Sequence, residues 1–510
     1  MVLFVKSSRL LLVAVLALIS VSRAIPSIIN NAVFSTDSWP LIRLTQLLIE
    51  NSWIRVLSLN IHHAKYPLAV LFSLIYTEVT SLDVYAFYAF LGAPLVVLVL
   101  TILLYTLLSK YFEKLPSILA LLALLLYSPF AVFTSAYLKE VYAYPLALIL
   151  LYLVVSTVRG LKWIGVFIVA LALVLSHPLT TLVVIAFTVT FIYIKLVEKI
   201  KLGTLESSSR YVNLVITLIL LSTLFTVHVA IMGLPVVFSI VDIAVLAAYS
   251  VFFYTTYFAF YASKQGFGVK YVFVVLALIF LLLVVFTYTS LIEGVILDFN
   301  IALHGLPLAL LVVGLYRYRG EEERFAVFVK TLLLLPLTVG ILYILTYAKW
   351  AVTITQRFLN YFVFLLALSL VVISRIKLRA AVFITLILLI NSSIVLHSMS
   401  TGRDPVLFYW RYTVADTVLG NYIENYSTTR LVSSVKYSYM LSGEIASVSL
   451  DLISILRSCS STSSVLLITS YEEFTYGLPL SPLHYVRLTT DLFECSSIVY
   501  SGLENYILVK

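Results

Sequence analysis

Two carboxylates and four cations stand out in this chain because charged residues are scarce. Asp and Glu together number 24 among 510 residues. Asp37 and Glu140 can each accept a proton from a hydroxyl group, which is the task of a general base. Lysine and arginine bind anionic groups, and arginine does so through a bidentate fork. The cations that fall close to the ends of apolar segments are Lys65, Lys139, Lys349 and Arg357.

The elements that carry these residues are membrane helices. The chain is 62% apolar and 11% charged, with a mean hydropathy of +1.09. Soluble proteins are about half apolar and a quarter charged. A helix of about 20 apolar residues crosses the hydrocarbon layer and satisfies its own backbone there. The composition therefore predicts an all-α polytopic membrane protein and excludes a soluble one.

The apolar runs predict about 13 transmembrane helices from their lengths. Their approximate limits are 9–25, 84–108, 116–137, 142–158, 163–177, 179–195, 211–233, 238–262, 271–290, 299–316, 327–347, 358–374 and 380–397. Every second joint between them is basic, and these joints hold more than half of the 33 lysines and arginines. The positive-inside rule places these joints and the N-terminus in the cytoplasm. The net charge of +9 is a topology signal and indicates no nucleic-acid partner.

The first apolar run has an alternative interpretation as a cleaved signal peptide. Lys6 and Arg9 precede it, and the small-x-small sequence Ser22-Arg23-Ala24 follows it. The sides assigned to the later segments are the same under both interpretations.

The composition divides the chain into two predicted domains. Residues 1–397 form the transmembrane domain, with one long outer loop at 26–83, and residues 398–510 form a small extracytoplasmic α/β domain in which helical and strand patterns alternate. The only cysteines, Cys459 and Cys495, lie in this second domain. An oxidising exterior permits a disulfide between them, and two free thiols are the alternative.

The outer loop combines Asp37 with two amphipathic segments. After Pro40, the residues Leu41, Leu44 and Leu48 share one helical face, which is typical of a helix lying in the membrane interface with its apolar face toward lipid. A second such segment covers residues 62 to 79. Asp37 precedes the first segment directly, so a helix N-cap is the alternative to a catalytic role.

These features resemble the GT-C superfamily of membrane glycosyltransferases, which includes protein mannosyltransferases and lipid A aminoarabinose transferases. The resemblance covers residues 9 to 195 and rests on the early Asp37 and on "AKYPLAVLFSLIYTEV", "TSAYLKEVYAYPLALILLYLVV" and "LSHPLTTL". The last of these is similar to a His-bearing turn of archaeal relatives. Tyr66 departs from the family pattern because it separates Lys65 from Pro67. The W-W-D-Y-G signature is absent, which argues against the oligosaccharyltransferase branch.

The resemblance implies transfer of a sugar from a polyprenyl (dolichyl) phosphate to a glycan, lipid or protein acceptor on the outer face. Asp37 is then the expected base, and Glu140 is a second acid, a metal ligand or the partner of Lys139. The donor phosphate is expected to contact Arg357, Lys65, Lys139 and Lys349. The alternative for each cation is snorkelling to lipid head groups.

Three histidines, His62, His63 and His177, are expected to line the substrate cavity. Imidazole also ligates cations, but the spacing fits no metal motif, and polar residues at the interface are the alternative. The sequence predicts no specific cofactor, although a divalent cation would suit some members of the superfamily.

Two other functions compete with sugar transfer. A transporter or lipid flippase would place charges in the middle of the membrane at broken helices, often in two similar halves. Here the charges gather at the outer surface and the halves differ. A non-catalytic membrane scaffold of the same fold is the other alternative.

Overall fold

The computed structural model describes residues 2–51, 62–155, 162–202, 208–233, 360–376, 378–401, 410–426 and 431–441. In the rest of the tail it describes residue 473 and the short strands given below. The predicted spans 238–262, 271–290, 299–316 and 327–347 lie outside the described residues, as do Lys349, Arg357, Cys459 and Cys495.

Helices account for nearly all of the described residues before the tail. They are α1 Val2–Ser22, α2 Ile25–Asn30, α3 Trp39–Glu50, α4 Leu68–Thr80, α5 Val84–Tyr111, α6 Lys114–Leu121, α7 Ala123–Leu126, α8 Ser128–Phe133, α9 Lys139–Val155, α10 Lys162–Ser176, α11 Pro178–Leu202, α12 Ser208–Ile231, α13 Phe362–Ile376 and α14 Leu378–Ser400. Two 3-10 turns, Thr36–Ser38 and His62–Lys65, lie in the outer loop.

Within the described part of the chain, three helices are long and apolar enough to cross a membrane. They are Val84–Tyr111, Val212–Ile231 and Ala381–Ser398. Shorter apolar helices surround them, and α9 packs against α5, α10 and α11, while α6 packs against α13. The chain is therefore an apolar helical membrane protein; the total number of spans and the sides of the termini stay predictions.

The predicted span 116–137 is not one continuous helix, because three short helices, α6, α7 and α8, take its place. The break falls at Tyr127, whose ψ of 94° is extended. Pro129 lies in the first turn of α8, where a proline is tolerated, whereas in a continuous helix its ring would clash with the carbonyl of Leu125.

Side chains from distant helices satisfy the carbonyls that this break releases. Arg23 Nη2 donates to Leu124 O, and Ser392 Oγ donates to Leu125 O at 2.8 Å. Arg23 and Ser392 are both buried. Non-helical backbone is tolerated at membrane depth only where other protein groups bond it. The break is thus supported by α14 and by the end of α1.

The apolar face of α3 packs against protein, so the expectation that it faces lipid is wrong. Leu41, Leu44 and Leu48 are all buried. Behind them, Thr45 Oγ1 lies 2.9 Å from Ser73 Oγ on α4 and 3.1 Å from the hydroxyl of Tyr88 on α5. This buried hydrogen-bonded triad fixes α3 on α4 and α5 and leaves the leucines no contact with the bilayer.

The tail contains helices and strands. Its helices are α15 Val414–Tyr426 and α16 Val435–Met440. Its strands are β1 Leu431–Ser433, β2 Ala446–Ser447, β3 Leu466–Ser470, β4 Leu478–Ser481, β5 His484–Val486, β6 Ser497–Ser501 and β7 Asn505–Val509. One sheet has the order β2-β1-β3-β7-β6, and β4 pairs with β5 separately. In the larger sheet β1 runs parallel to β2 and β3, and β7 runs antiparallel to β3 and β6.

The start of the tail is bonded to the outer loop. The backbone N–H of Ser35 donates to the carbonyl of Trp410 at 2.8 Å, and the rings of Phe34 and Trp410 meet edge to face at 5.8 Å. Nearby, Arg411 Nε donates to Asn30 Oδ1 at 2.8 Å. The segment that carries Asp37 is therefore held between the helices and the tail. The predicted division of the chain into two domains stays a prediction.

Candidate functional site

Glu140 is a buried carboxylate in the first turn of α9, and only 2% of its surface is exposed. The hydroxyl of Tyr144 donates to Glu140 Oε1 at 2.8 Å. The spacing of four residues puts both side chains on one helix face. On the other side, His177 Nε2 lies 4.0 Å from Glu140 Oε2. The positive end of the helix dipole also favours a carboxylate at this position.

His177 is oriented toward Glu140 by the start of α11. The backbone N–H of Thr180 donates to His177 Nδ1 at 3.2 Å, and Thr180 Oγ1 lies 3.0 Å from the same nitrogen. Because Nδ1 accepts a hydrogen bond, the neutral ring carries its proton on Nε2, the nitrogen that faces Glu140. Tyr361 supports the turn, since its hydroxyl donates to Thr180 Oγ1 at 3.3 Å.

Lys139 lies beside this carboxylate on an aromatic surface. Its Nζ is 5.1 Å from the centroid of the Tyr66 ring, a cation–π distance. The Tyr66 ring lies 5.3 Å from the ring of His228. Burial raises the pKa of Tyr66 to about 12, so its hydroxyl stays neutral at physiological pH. Tyr66 is the residue that separates Lys65 from Pro67 and departs from the family pattern. In the structure its ring forms the aromatic surface that contacts Lys139.

Tyr137 anchors the segment that leads into α9. Its hydroxyl donates to Ala69 O on α4 at 2.7 Å, and its ring meets those of Phe87 and Tyr88 at 5.1 and 5.2 Å. A Cβ at Gly92 would come within 2.7 Å of Tyr137 Cγ. Only glycine at position 92 leaves room for the Tyr137 ring. Because Tyr137 lies just before Lys139 and Glu140, its packing against Gly92 helps to position the start of α9.

An apolar cleft adjoins the polar cluster. Tyr144, which bonds Glu140, also lines this cleft, as does Tyr361. The remaining lining residues come from α5, α9, α11 and α13 and are all apolar; they include Leu104, Leu108, Leu148, Val184, Phe187 and Leu368. A smaller cavity that shares Leu151, Val184 and Phe187 continues toward α12. The cleft has a volume of about 60 Å³, so its apolar lining offers contact to a short stretch of hydrocarbon chain.

Asp37 lies apart from this cleft, in the 3-10 turn Thr36–Ser38 that joins the outer loop to the tail. Ser35, with a φ of +82°, precedes the turn, and its Oγ accepts from the backbone N–H of Asp37 at 3.3 Å. The alternative that Asp37 caps α3 is wrong, because Ser38 occupies the N-cap position and makes no side-chain cap bond.

Tyr412 shows that tail residues lie close to Asp37. Burial raises the pKa of this tyrosine well above its ordinary value, and the negative charges of Asp416, Asp37 and Glu473 raise it further, whereas Arg43 opposes them. Asp416 itself forms a buried ion pair with Lys436 at 3.1 Å. Asp37 thus stands at the edge of a group of charges contributed largely by the tail.

The other predicted residues are placed only in part. His62, His63 and Lys65 lie together on the 3-10 turn His62–Lys65, and His63 and Lys65 are half-buried there. His177, by contrast, lies with its ring against the carboxylate of Glu140. Across the described ranges, no three His, Cys, Asp or Glu side chains form a group that could hold a metal ion.

Sequence reasoning missed Tyr144 and His228 as members of the site. Tyr144 had a usable signal, its spacing of four residues from Glu140 in a helical run. His228 had none, because it meets Tyr66 only through the packing of α12 on the outer loop.

No family model matches this chain, and no curated protein matches it. Among solved structures, the chain is similar to ArnT from Cupriavidus metallidurans in the apo state, with 10% identity and a TM-score of 0.42 over 99% of this chain and 98% of that one. It is also similar to the structure of ArnT from the same organism bound to undecaprenyl phosphate, with 9% identity and a TM-score of 0.41 over 98% and 97% of the two chains.

Proposed function

We propose that the protein is an integral-membrane glycosyltransferase that moves a sugar from a polyprenyl-phosphate donor to an acceptor at the outer face. One observation carries the proposal: the buried cluster of Glu140, Tyr144 and His177 opens onto an apolar cleft, and Tyr144 belongs to both. A polar head joined to an apolar groove suits a ligand that is itself a polar head on a hydrocarbon chain.

In this proposal part of the donor tail packs along the cleft and the donor phosphate contacts Lys139. A polyprenyl chain would pack against Leu148, Val184 and Phe187 through van der Waals contact, since the surrounding lipid supplies no hydrophobic driving force. Lys139, next to Glu140, supplies a positive charge for the phosphate, with Lys65, Lys349 and Arg357 as further expected contacts. A dolichyl chain and an archaeal source are expectations that rest on the sequence resemblance.

Asp37 is the proposed base. The acceptor oxygen forms a bond to the anomeric carbon of the donor sugar, the bond from that carbon to the phosphate oxygen breaks, and the acceptor proton passes to Asp37. The polyprenyl phosphate leaves with the electron pair, and Lys139 stabilises its charge. Glu140 is the second candidate for the base; its Oε1 accepts the hydrogen bond from Tyr144.

The test is sugar transfer by the purified protein in lipid nanodiscs. Polyprenyl phosphates carrying radiolabelled mannose, glucose or N-acetylglucosamine are supplied with an extract of surface glycans, and labelled product is separated from donor. Wild-type protein should transfer label from at least one donor. Asp37→Asn should lower the rate by roughly 10²- to 10⁴-fold, the contribution of a general base.

The matched control is Glu78→Gln, which neutralises an exposed carboxylate on α4 in the same outer loop. It should transfer at the wild-type rate. Absence of transfer from every donor, combined with movement of the intact lipid between leaflets, would replace the proposal with the flippase alternative.

A further inference from the structure

We propose that Tyr412, a buried tyrosine near the start of the tail, is a positioning residue for the turn that carries Asp37. Whether Tyr412 holds the turn can be measured without sugar transfer, whereas its effect on catalysis rests on the proposed glycosyltransferase function. The contacts that carry the proposal run from the Asp37 turn to Trp39, from Trp39 to Tyr412, and from Tyr412 to Lys436.

Trp39 belongs to the Asp37 turn through its backbone and contacts the tail through its ring. Its N–H donates to the carbonyl of Thr36 and closes the turn. Its ring lies 5.4 Å from the ring of Tyr412 and 5.9 Å from the ring of Tyr85 on α5. Aromatic pairs at such distances attract each other beyond the effect of burial alone. Tyr412 thus packs against the residue that closes the turn.

The tail segment 410–412 contacts the turn on both sides. Before Asp37, the backbone N–H of Ser35 donates to the carbonyl of Trp410 at 2.8 Å, and after Asp37 the ring of Trp39 packs on Tyr412. Burial raises the pKa of Tyr412, and the charge of Asp37 is among those that raise it further, as expected for groups that lie close together. The turn is therefore bracketed by one short piece of the tail.

Tyr412 is itself held in place by α16. It is 1% exposed, and its hydroxyl donates to the carbonyl of Lys436 at 2.6 Å. The ammonium group of Lys436 lies 5.5 Å from the centre of the Tyr412 ring, a cation–π distance. Helix α16 also packs against the 3-10 turn Thr36–Ser38 and against α3. Tyr412 and α16 therefore form one support for the turn.

A buried ion pair fixes Lys436 in this support. Its Nζ lies 3.1 Å from Asp416 Oδ2, and both side chains are at most 2% exposed. Asp416 also accepts hydrogen bonds from the backbone N–H and the hydroxyl of Thr413 at 2.8 and 3.1 Å, and from the hydroxyl of Tyr437 at 2.7 Å. Separating such a pair is strongly unfavourable because it leaves a buried charge without compensation. The pair therefore holds α15 and α16 in one arrangement.

Placement of the turn matters because a general base must lie within hydrogen-bond reach of the hydroxyl that it deprotonates. A misplacement of about 1 Å can lower a rate roughly 100-fold. The turn Thr36–Ser38 is three residues long, and a single turn makes too few hydrogen bonds of its own to be rigid. A residue that positions Asp37 should therefore change the rate of transfer and leave donor binding unchanged.

The test combines hydrogen exchange with kinetics on the purified protein in nanodiscs. Tyr412→Leu removes the ring that packs on Trp39. It should raise amide exchange in residues 34–41, while exchange in residues 68–80 of α4 stays at the wild-type level. It should also lower kcat roughly 10- to 100-fold and leave the donor KM unchanged.

Two matched variants calibrate this result. Tyr412→Phe keeps the ring and should restore most of the protection, with kcat about 2- to 10-fold below wild type for the lost hydrogen bond. Tyr422→Leu makes the same change as Tyr412→Leu at an exposed position of α15 and should match wild type in exchange and in kcat. If Tyr412→Leu fails to fold, Tyr412→Phe provides both measurements.

The Asp37→Asn background separates positioning from a general loss of structure. The proposed base is absent there, so Tyr412→Leu should lower transfer no further, whereas damage to the whole protein would lower it by the same factor in both backgrounds. Unchanged exchange of residues 34–41, or equal factors in both backgrounds, would overturn the proposal. If the wild-type protein transfers no sugar, the proposed function fails, and the exchange comparison still decides whether Tyr412 holds the turn.

Discussion

Tyr144 donates a 2.8 Å hydrogen bond to Glu140, and the two side chains are buried one helical turn apart on α9. The tyrosine ring also forms part of the apolar cleft. One side chain thus connects the carboxylate with the surface proposed to hold the donor lipid. Removing the hydroxyl of Tyr144 is therefore the most direct test of the connection between the carboxylate and the cleft.

Tyr144→Phe should reduce sugar transfer about 10- to 100-fold while the protein still folds. The change keeps the ring in the cleft but removes the donor to Glu140, and loss of a hydrogen bond to a charged group costs about 1.5–3 kcal/mol. Transfer rate and thermal unfolding would be measured together. Tyr152→Phe, on a more exposed turn of the same helix, is the control and should change neither. Equal rates for both variants would remove Tyr144 from the site.

Lys139→Met should raise the donor KM about 10- to 100-fold, because a charge-assisted contact to the phosphate is worth roughly 1.5–3 kcal/mol. Lys139→Arg should restore part of the affinity, since arginine keeps the charge. Lys114→Met, at an exposed joint outside the site, serves as the control. A donor KM that stays at the wild-type value in Lys139→Met would remove this lysine from the proposed donor site.

Ser392→Ala should lower the free energy of unfolding by about 1–3 kcal/mol, because it leaves the buried carbonyl of Leu125 at the helix break without its donor. The adjacent Ser393 is exposed, so Ser393→Ala is a closely matched control and should be neutral. Thermal unfolding of the two purified variants gives the comparison. Equal melting temperatures would mean that another group, such as water, bonds this carbonyl.

The predicted sidedness can be tested with single cysteines at Thr80 and Glu113, in a background where Cys459 and Cys495 are serine. Thr80, the last residue of α4, and Glu113 are both exposed and flank α5 in the chain. An impermeant thiol reagent should label the Thr80 variant in intact cells and the Glu113 variant only after lysis, as the positive-inside rule predicts. Labelling of the Glu113 variant in intact cells would reverse the orientation.

The sequence predicted the class of the fold because apolar runs determine it, and it singled out Glu140 because charges are rare in such a chain. Reasoning from the sequence failed for features that depend on tertiary packing. An amphipathic stripe shows that Leu41, Leu44 and Leu48 share a face, but lipid and protein are equally apolar partners for that face. The contact of His177 with Glu140 likewise depends on how α11 packs against α9.

The break in the predicted span 116–137 was overlooked for a different reason. Pro129 lies inside the run that hydropathy assigns to one span, and the expected effect of an interior proline was available from the sequence. Hydropathy alone cannot register it, because Pro129 interrupts the backbone without interrupting the apolar character of the run. The compensating donors Arg23 and Ser392 come from the two ends of the helical part, and no local pattern connects them.

The hydrogen bond from Ser35 to Trp410 has a consequence for biosynthesis. The turn that carries Asp37 emerges from the ribosome early, whereas the carbonyl that bonds its left-handed Ser35 emerges only after α14 has been made. Chains grow at about 5–20 residues per second, and their N-terminal parts fold first. The Asp37 turn therefore stays incomplete until the chain has been synthesised as far as Trp410, and the loop around Asp37 can take its final structure only then.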